Sequence, residues 1–335
     1  MRLPLTSWTM RKAVAACAIT ALLCGASQSA SADQSAPIPA WLGAHVGTGP
    51  GQVALTVLKR ARALYRQRVS EGVVRNPCYF AMDATKPNDP TGDKSGGRFY
   101  VVCEVNQSFK AIPAGHGSGR KLTGVVDFSN GRECVRNFGN AMDSNLTMGG
   151  SYMTSEVKTS FKGYYRAPGA QNAAYLRSFL QFDGEGETAN ARARAIGGHA
   201  AAKVAAMCMM KAPASPYANH DGLVPFGNLV TYAGGRSDGC TSWSPTDALQ
   251  MISMVKDNPT TLYIYPESTD INAVAKAAAQ HAPLSQAGLY WNEECLHAIG
   301  TPKFWTKATL EPVIAQYKLD NPPKPGHPLP ICGPQ

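Results

Sequence analysis

Gly234-Gly235-Arg236-Ser237-Asp238-Gly239-Cys240-Thr241-Ser242-Trp243 is the stretch on which the reading of this chain turns. Glycines and small polar residues predict a tight turn, and a cysteine hemmed in by them is placed as a nucleophile is, unlike a core thiol. The chain has nine cysteines, and two of them, Cys17 and Cys24, fall in a segment that reads as a leader. Seven remain: Cys78, Cys103, Cys134, Cys208, Cys240, Cys295 and Cys332. An odd count in an exported protein predicts three disulfides and one free thiol, which we assign to Cys240. Cys78 and Cys103 sit on neighbouring predicted strands and suit a bridge, and Cys295 is expected to pair with Cys332.

Residues 1–32 read as a secretory signal. Arg2, Arg11 and Lys12 precede an uncharged apolar run, Ala13 to Gly25, and Ala30-Ser31-Ala32 offers a cleavage site before Asp33. Leu23 stands where a lipoprotein signal needs a small residue. No other run is long and apolar enough to span a membrane, so no stable membrane insertion is expected. Loss of residues 1–32 removes three positive charges and no acid, taking the formal net charge from +9 to +6. Modest basicity suits an anionic envelope polymer, whereas no motif or dense basic block points to nucleic acid.

Residues 33–75 read as a linker followed by an amphipathic helix over Gln52 to Glu71, with Val53, Val57, Leu58, Leu64 and Val69 on its apolar side. Residues 76–268 read as a mainly β domain. Strands are predicted at Cys78–Met82, Arg98–Cys103, Lys121–Phe128, Phe179–Phe182, Arg194–Gly197 and Thr261–Tyr265. Frequent turn residues between them favour a sandwich or barrel over a helical bundle. Helices are predicted at Pro245–Lys256, Asp270–Gln280 and Ala308–Tyr317, the last two within a C-terminal extension over 269–335.

A thiol attacks as the thiolate and needs a base or a positive environment. His116, His199 and His220 are the candidates. His199 ends a segment, Ala191 to His199, that reads as a strand entering a small-residue turn, which sets an imidazole at a sheet rim. Backbone N–H groups of Asp238, Gly239 and Cys240 can form an oxyanion hole. Ser237 is placed to orient the histidine or the substrate. Tyr232, Arg236 and Trp243 are expected to wall the cleft, with Arg236 gripping a carboxylate, and His116 either touches substrate or marks a plain turn.

Ser237-Asp238-Gly239-Cys240 resembles the Ser/Thr-His-Gly-Cys signature of the L,D-transpeptidase (YkuD-type) catalytic domain, in the branch with a Ser-x-Gly-Cys signature. Further blocks resemble that branch in the same order: Gly115 to Gly119, Phe138-Gly139-Asn140, Ser144 to Thr154, Phe182-Asp183-Gly184 and Asn190 to His199. A helix and Thr260 to Tyr265 follow the cysteine. The resemblance spans roughly residues 98 to 266. It implies a YkuD-like β-sandwich or barrel and a periplasmic, monomeric cysteine acyltransferase acting on peptidoglycan stem peptides without a metal or organic cofactor. Cys240 would form a thioester with a donor stem and pass it to an acceptor amine, giving 3–3 or 1–3 cross-links. Hydrolysis of the same thioester would make it an L,D-carboxypeptidase. Two positions depart from the pattern. Asp238 replaces the signature histidine, which leaves a silent wall-binding protein as a further reading. His199 lies farther from Cys240 than is usual in the family, whereas His220, 20 positions before Cys240, fits the usual gap. Block order favours His199 as the base and makes Ala200 to Val230 an insertion over the cleft.

Overall fold

Two short apolar runs, Cys78–Asp83 and Thr261–Tyr265, set the centre of the architecture. Every residue in both strands is buried, as expected where a sheet is covered on both faces. The structure, a computed structural model, describes residues 37–88, 97–169, 171–232, 236–323 and 326–333, with the side chain of Arg236 outside that set. The predicted leader lies outside the described residues.

The fold is mainly β. Eight strands of a ten-stranded mixed sheet run, from one edge, Thr241–Trp243, Gly197–Ala200, Asn172–Gly184, Gly150–Arg166, Thr261–Tyr265, Cys78–Asp83, Phe99–Cys103 and Ser108–Ile112, and Ala202–Lys211 and Leu223–Thr231 lie off this path. Strand alternation divides the central side chains between two layers. Tyr79, Ala81, Tyr100, Val102, Tyr263 and Tyr265 face the helix Leu55–Ser70, which meets them with Val57, Leu58, Ala61 and Leu64. Phe80, Met82, Phe99, Val101, Leu262 and Ile264 face the opposite core. There the helices Pro245–Val255 and Ser268–Ala279 contribute Met251, Ile252, Ile271 and Val274. Burying such side chains contributes roughly 1.5–3 kcal/mol each.

The predicted linker is packed structure from residue 37 onward. Leu42 and Val53 are fully buried under the first long helix, with Ile38, Trp41 and Val46 against the same cluster. Arg192 to Ile196, part of which was expected as strand, is a turn, and the strand begins at Gly197. Lys121–Phe128 is a tight hairpin of two-residue strands.

Two long hairpins depart most from expectation. Gly150–Arg166 pairs with Asn172–Gly184 over most of their length, and Ala202–Lys211 pairs with Leu223–Thr231. The second, which we call the arm, joins the end of the first through Phe226 and Gly227 beside Tyr164 and Tyr165. The disulfides are Cys78–Cys103, Cys134–Cys295 and Cys208–Cys332, leaving Cys240 free. The expected Cys295–Cys332 bridge is corrected by the path of the tail. Met209 donates its N–H to Pro330 at 2.8 Å and its carbonyl accepts from Cys332 at 3.0 Å, so the tail lies along the arm, where Cys208 waits. Cys295 instead faces Cys134 close to a small strand pair, Asn137–Gly139 with Lys303–Trp305. The C-terminal extension is integral to the core. Its helix Lys307–Asp320 buries Leu310 and Ile314 against Leu122, Phe128, Ala141 and Leu146. No helix among the described residues is long and apolar enough to cross a membrane.

Candidate active site

At one sheet edge, Gly197–Ala200 runs parallel to Thr241–Trp243, with Gly198 opposite Thr241 and His199 opposite Ser242. Cys240 immediately precedes the strand Thr241–Trp243, so the register sets His199 on the neighbouring strand, opposite a position two residues past the thiol. Gly198 makes this pairing possible, because a Cβ there would lie 2.1 Å from the Trp243 ring.

The turn before Cys240 is clamped from several directions. Arg236 and Ser237 pair with His116 and Gly117, Ser118 donates its N–H to Ser237 O at 2.7 Å, and Gly115 donates to Ser242 O at 2.7 Å. The Ser237 hydroxyl donates to the Cys240 carbonyl, a bond that closes the turn on itself. Gly239 has φ +106°, and an added Cβ would press on Ile196 and the Leu146 carbonyl. Only glycine takes that conformation freely. Asp238 is exposed, and its carboxylate accepts from Asn145 Nδ2 at 3.0 Å.

Cys240 is 8 % exposed, and its Sγ lies 3.5 Å from the Ala195 carbonyl. Burial pushes the thiol up to about 11; Asp238 acts in the same direction, opposed by a Gly197 backbone hydrogen bond and by Arg177 and Arg194. Arg194 is itself largely buried and donates to the Leu146 carbonyl at 2.6 Å. His199 is held below the ordinary histidine value chiefly by burial, with Arg177 and Lys162 adding to it and the Ala200 carbonyl and Asp238 opposing. Its Nδ1 lies 2.9 Å from the Ala200 carbonyl. A carbonyl only accepts, so Nδ1 carries the proton and Nε2 of the neutral ring is left as the basic atom. Phe179 stacks on the imidazole at 6.3 Å and fixes its plane. At rest the thiol and the imidazole are therefore both neutral, and a neutral imidazole can take a thiol proton during attack.

His220 is elsewhere. It lies in the turn at the far end of the arm, 88 % exposed, beside Asp221 at 3.2 Å. Nine register pairs separate that turn from the arm's base at Ala202 and Thr231, a run of about 30 Å at strand spacing. The base of the arm adjoins the His199 strand, where Tyr232 donates its N–H to Ala201 O at 2.8 Å. Tyr232 is half-buried and hydrogen-bonded to Arg177, with Cys240 and Asp238 close enough to raise its hydroxyl further. The structure thus brings together Cys240, His199, Gly239, Asp238, Ser237 and Tyr232.

Two residues expected at the cleft are interior. Trp243 is 1 % exposed and packs edge-on against Phe99 at 5.2 Å, so it supports the strand from below and does not wall a cleft. His116 is fully buried, its Nδ1 2.5 Å from Arg98 Nη2 and its Nε2 3.0 Å from the Gly131 carbonyl. It anchors the strand that flanks the nucleophile turn. Sequence reasoning missed Arg177, Lys162 and Phe179. They lie on a hairpin whose polar strands give no apolar alternation, and only the sheet register reveals them as neighbours of His199.

No family model, curated protein or solved structure matches the chain.

Proposed function

We propose that this chain is an exported L,D-transpeptidase of the YkuD type, a cysteine acyltransferase acting on peptidoglycan stem peptides in the periplasm. The observation that carries the reading is that the one free thiol among the described residues lies on a Ser-x-Gly-Cys turn leading into the strand beside His199, whose Nδ1 is spent on a backbone carbonyl. Three disulfides accord with an oxidising compartment.

In this reading Nε2 of His199 takes the thiol proton as Sγ bonds to a donor-stem carbonyl carbon. The resulting oxyanion is met by backbone N–H groups of the Asp238–Cys240 turn. Collapse breaks the amide bond, and the departing amine takes the proton from His199. The acceptor amine then attacks the thioester, yields its proton to Nε2, and the sulfur leaves and is reprotonated. Arg177 and Arg194 favour the thiolate as it forms.

Intact-mass analysis after meropenem treatment tests the proposal. The mature protein should gain one stoichiometric adduct, Cys240→Ala none, and His199→Gln should acylate about 10²–10⁴-fold more slowly. An adduct that persists in Cys240→Ala, or none in the wild type, removes the transpeptidase reading. Muropeptide digestion then separates cross-linking from trimming, since dimers require an acceptor amine and trimmed monomers only water.

A further inference from the structure

The sheet register assembles a second cluster beside the thiol and the imidazole. On the strand Asn172–Gly184, Phe179 lies opposite His199, and alternation puts Arg177 and Tyr175 on the same face. Across the hairpin, Ser160 lies opposite Arg177, and Lys162 sits at the irregularity opposite Tyr175. Burial lowers both His199 and Lys162; Arg177 and Lys162 add to the depression of His199, and Arg177 adds to that of Lys162. The cluster is built, since Arg177 donates to the Tyr232 hydroxyl while the Tyr175 hydroxyl donates to the Ala202 carbonyl at 3.5 Å.

Two like charges held together disfavour each other, and a counter-charge relieves that. Among the described residues neither Arg177 nor Lys162 has a carboxylate partner, and the Arg177 Nε is buried without any hydrogen-bond partner. The acids nearest in the chain are occupied: Arg192 takes both Glu156 and Asp183 through bonds of 2.6–2.8 Å. A guanidinium next to an ammonium matches the oxygens of a carboxylate.

We propose that Arg177 and Lys162 form a carboxylate-binding subsite of the cleft, taking the terminal carboxylate of the acyl donor beside Cys240. This rests on the acyl-transfer reading of the site. A bound carboxylate also offsets the two cations facing His199, whose other charged neighbour is Asp238. Its arrival makes His199 a stronger base, so the general base gains strength when the donor is in place. A ligand lacking the charge fills the cleft without that gain.

The test follows the ring signal of His199 in the full mature protein by ¹³C NMR, assigned with His199→Gln, while N-acetyl-D-alanine or its neutral amide is added. The carboxylate should raise the titration midpoint of His199, and the amide should leave it in place. Arg177→Met should start from a higher midpoint and bind the carboxylate about tenfold more weakly. Arg177→Lys, which keeps the charge and guards against loss of the fold, should retain the response. The proposal is overturned if acid and amide act alike, or if the Arg177→Met, Lys162→Met double variant still responds. None of these readings requires turnover. A carboxylate response without a meropenem adduct at Cys240 keeps the subsite and removes acyl transfer; an adduct without the response removes the subsite alone.

Discussion

Asp238 sits beside a thiol that burial already disfavours as an anion, and it adds a like charge to the developing thiolate. Asp238→Asn removes that repulsion. Iodoacetamide alkylation of Cys240 at pH 8 should then quicken about threefold, the effect of half a pKa unit. An unchanged rate across the pH profile means the carboxylate is screened from the sulfur. His199 supplies a second prediction at this scale. In the proposed mechanism its neutral form is the base, and burial holds its titration below the ordinary 6.5. Meropenem acylation should accordingly hold its rate as the pH falls through 6.5 and decline only at lower pH. The same shift bears on stability with a definite sign. Between the folded value and 6.5 the unfolded chain binds more protons, so the full stability is present above 6.5 and is lost as the pH falls through the folded value. Urea midpoints between pH 7 and 5 should drop less in His199→Gln than in the wild type.

The nucleophile turn depends on glycine where no other residue fits. Gly239→Ala forces a side chain onto φ +106° and into Ile196 and Leu146. It should cost about 1–3 kcal/mol and abolish acylation while the disulfides still form; a fully active variant would show the turn to be adaptable. Elements of this kind were legible in the sequence to different degrees. Phe80–Met82 and Thr261–Tyr265 announced themselves because a strand buried on both faces must be apolar throughout. The following helix was read from periodicity beginning at Pro245, and Ser244 caps it by accepting from the Asp247 N–H at 3.1 Å. The central hairpin was legible only at Phe179–Phe182, because its outer half, Glu156 to Arg166 and Asn172 to Ser178, lies largely at the surface and carries lysine, serine and tyrosine. The candidate nucleophile and His199 could be read from local signals. Arg177 could not, since its nearness to His199 is created by strand pairing across 22 positions of chain. Trp243 was placed beside the cleft by its nearness to Cys240 in sequence and His116 by its glycine-rich surroundings, and the structure buries both.

Across the whole molecule, covalent ties complement a core assembled from distant segments. The bridge Cys208–Cys332 joins the arm to the tail across 124 residues of chain. Replacing both cysteines with serine should lower unfolding stability by about 2–4 kcal/mol, measured by urea denaturation, with meropenem acylation retained because His199 and Cys240 are held by the sheet and not by the tail. Loss of acylation in that variant would instead make the arm part of the catalytic fold. A deeper dependence runs through Leu146. Its carbonyl receives Arg194, and the adjacent Asn145 holds Asp238. Leu146 itself packs with Trp305, Leu310 and Ile314 from the end of the chain. The floor beneath Cys240 is thus completed by residues that lie well beyond it in the chain. A chain cut between Cys240 and Trp305 would carry its thiol on a turn without that support, so the state of this cysteine is set by packing that forms far from it in sequence.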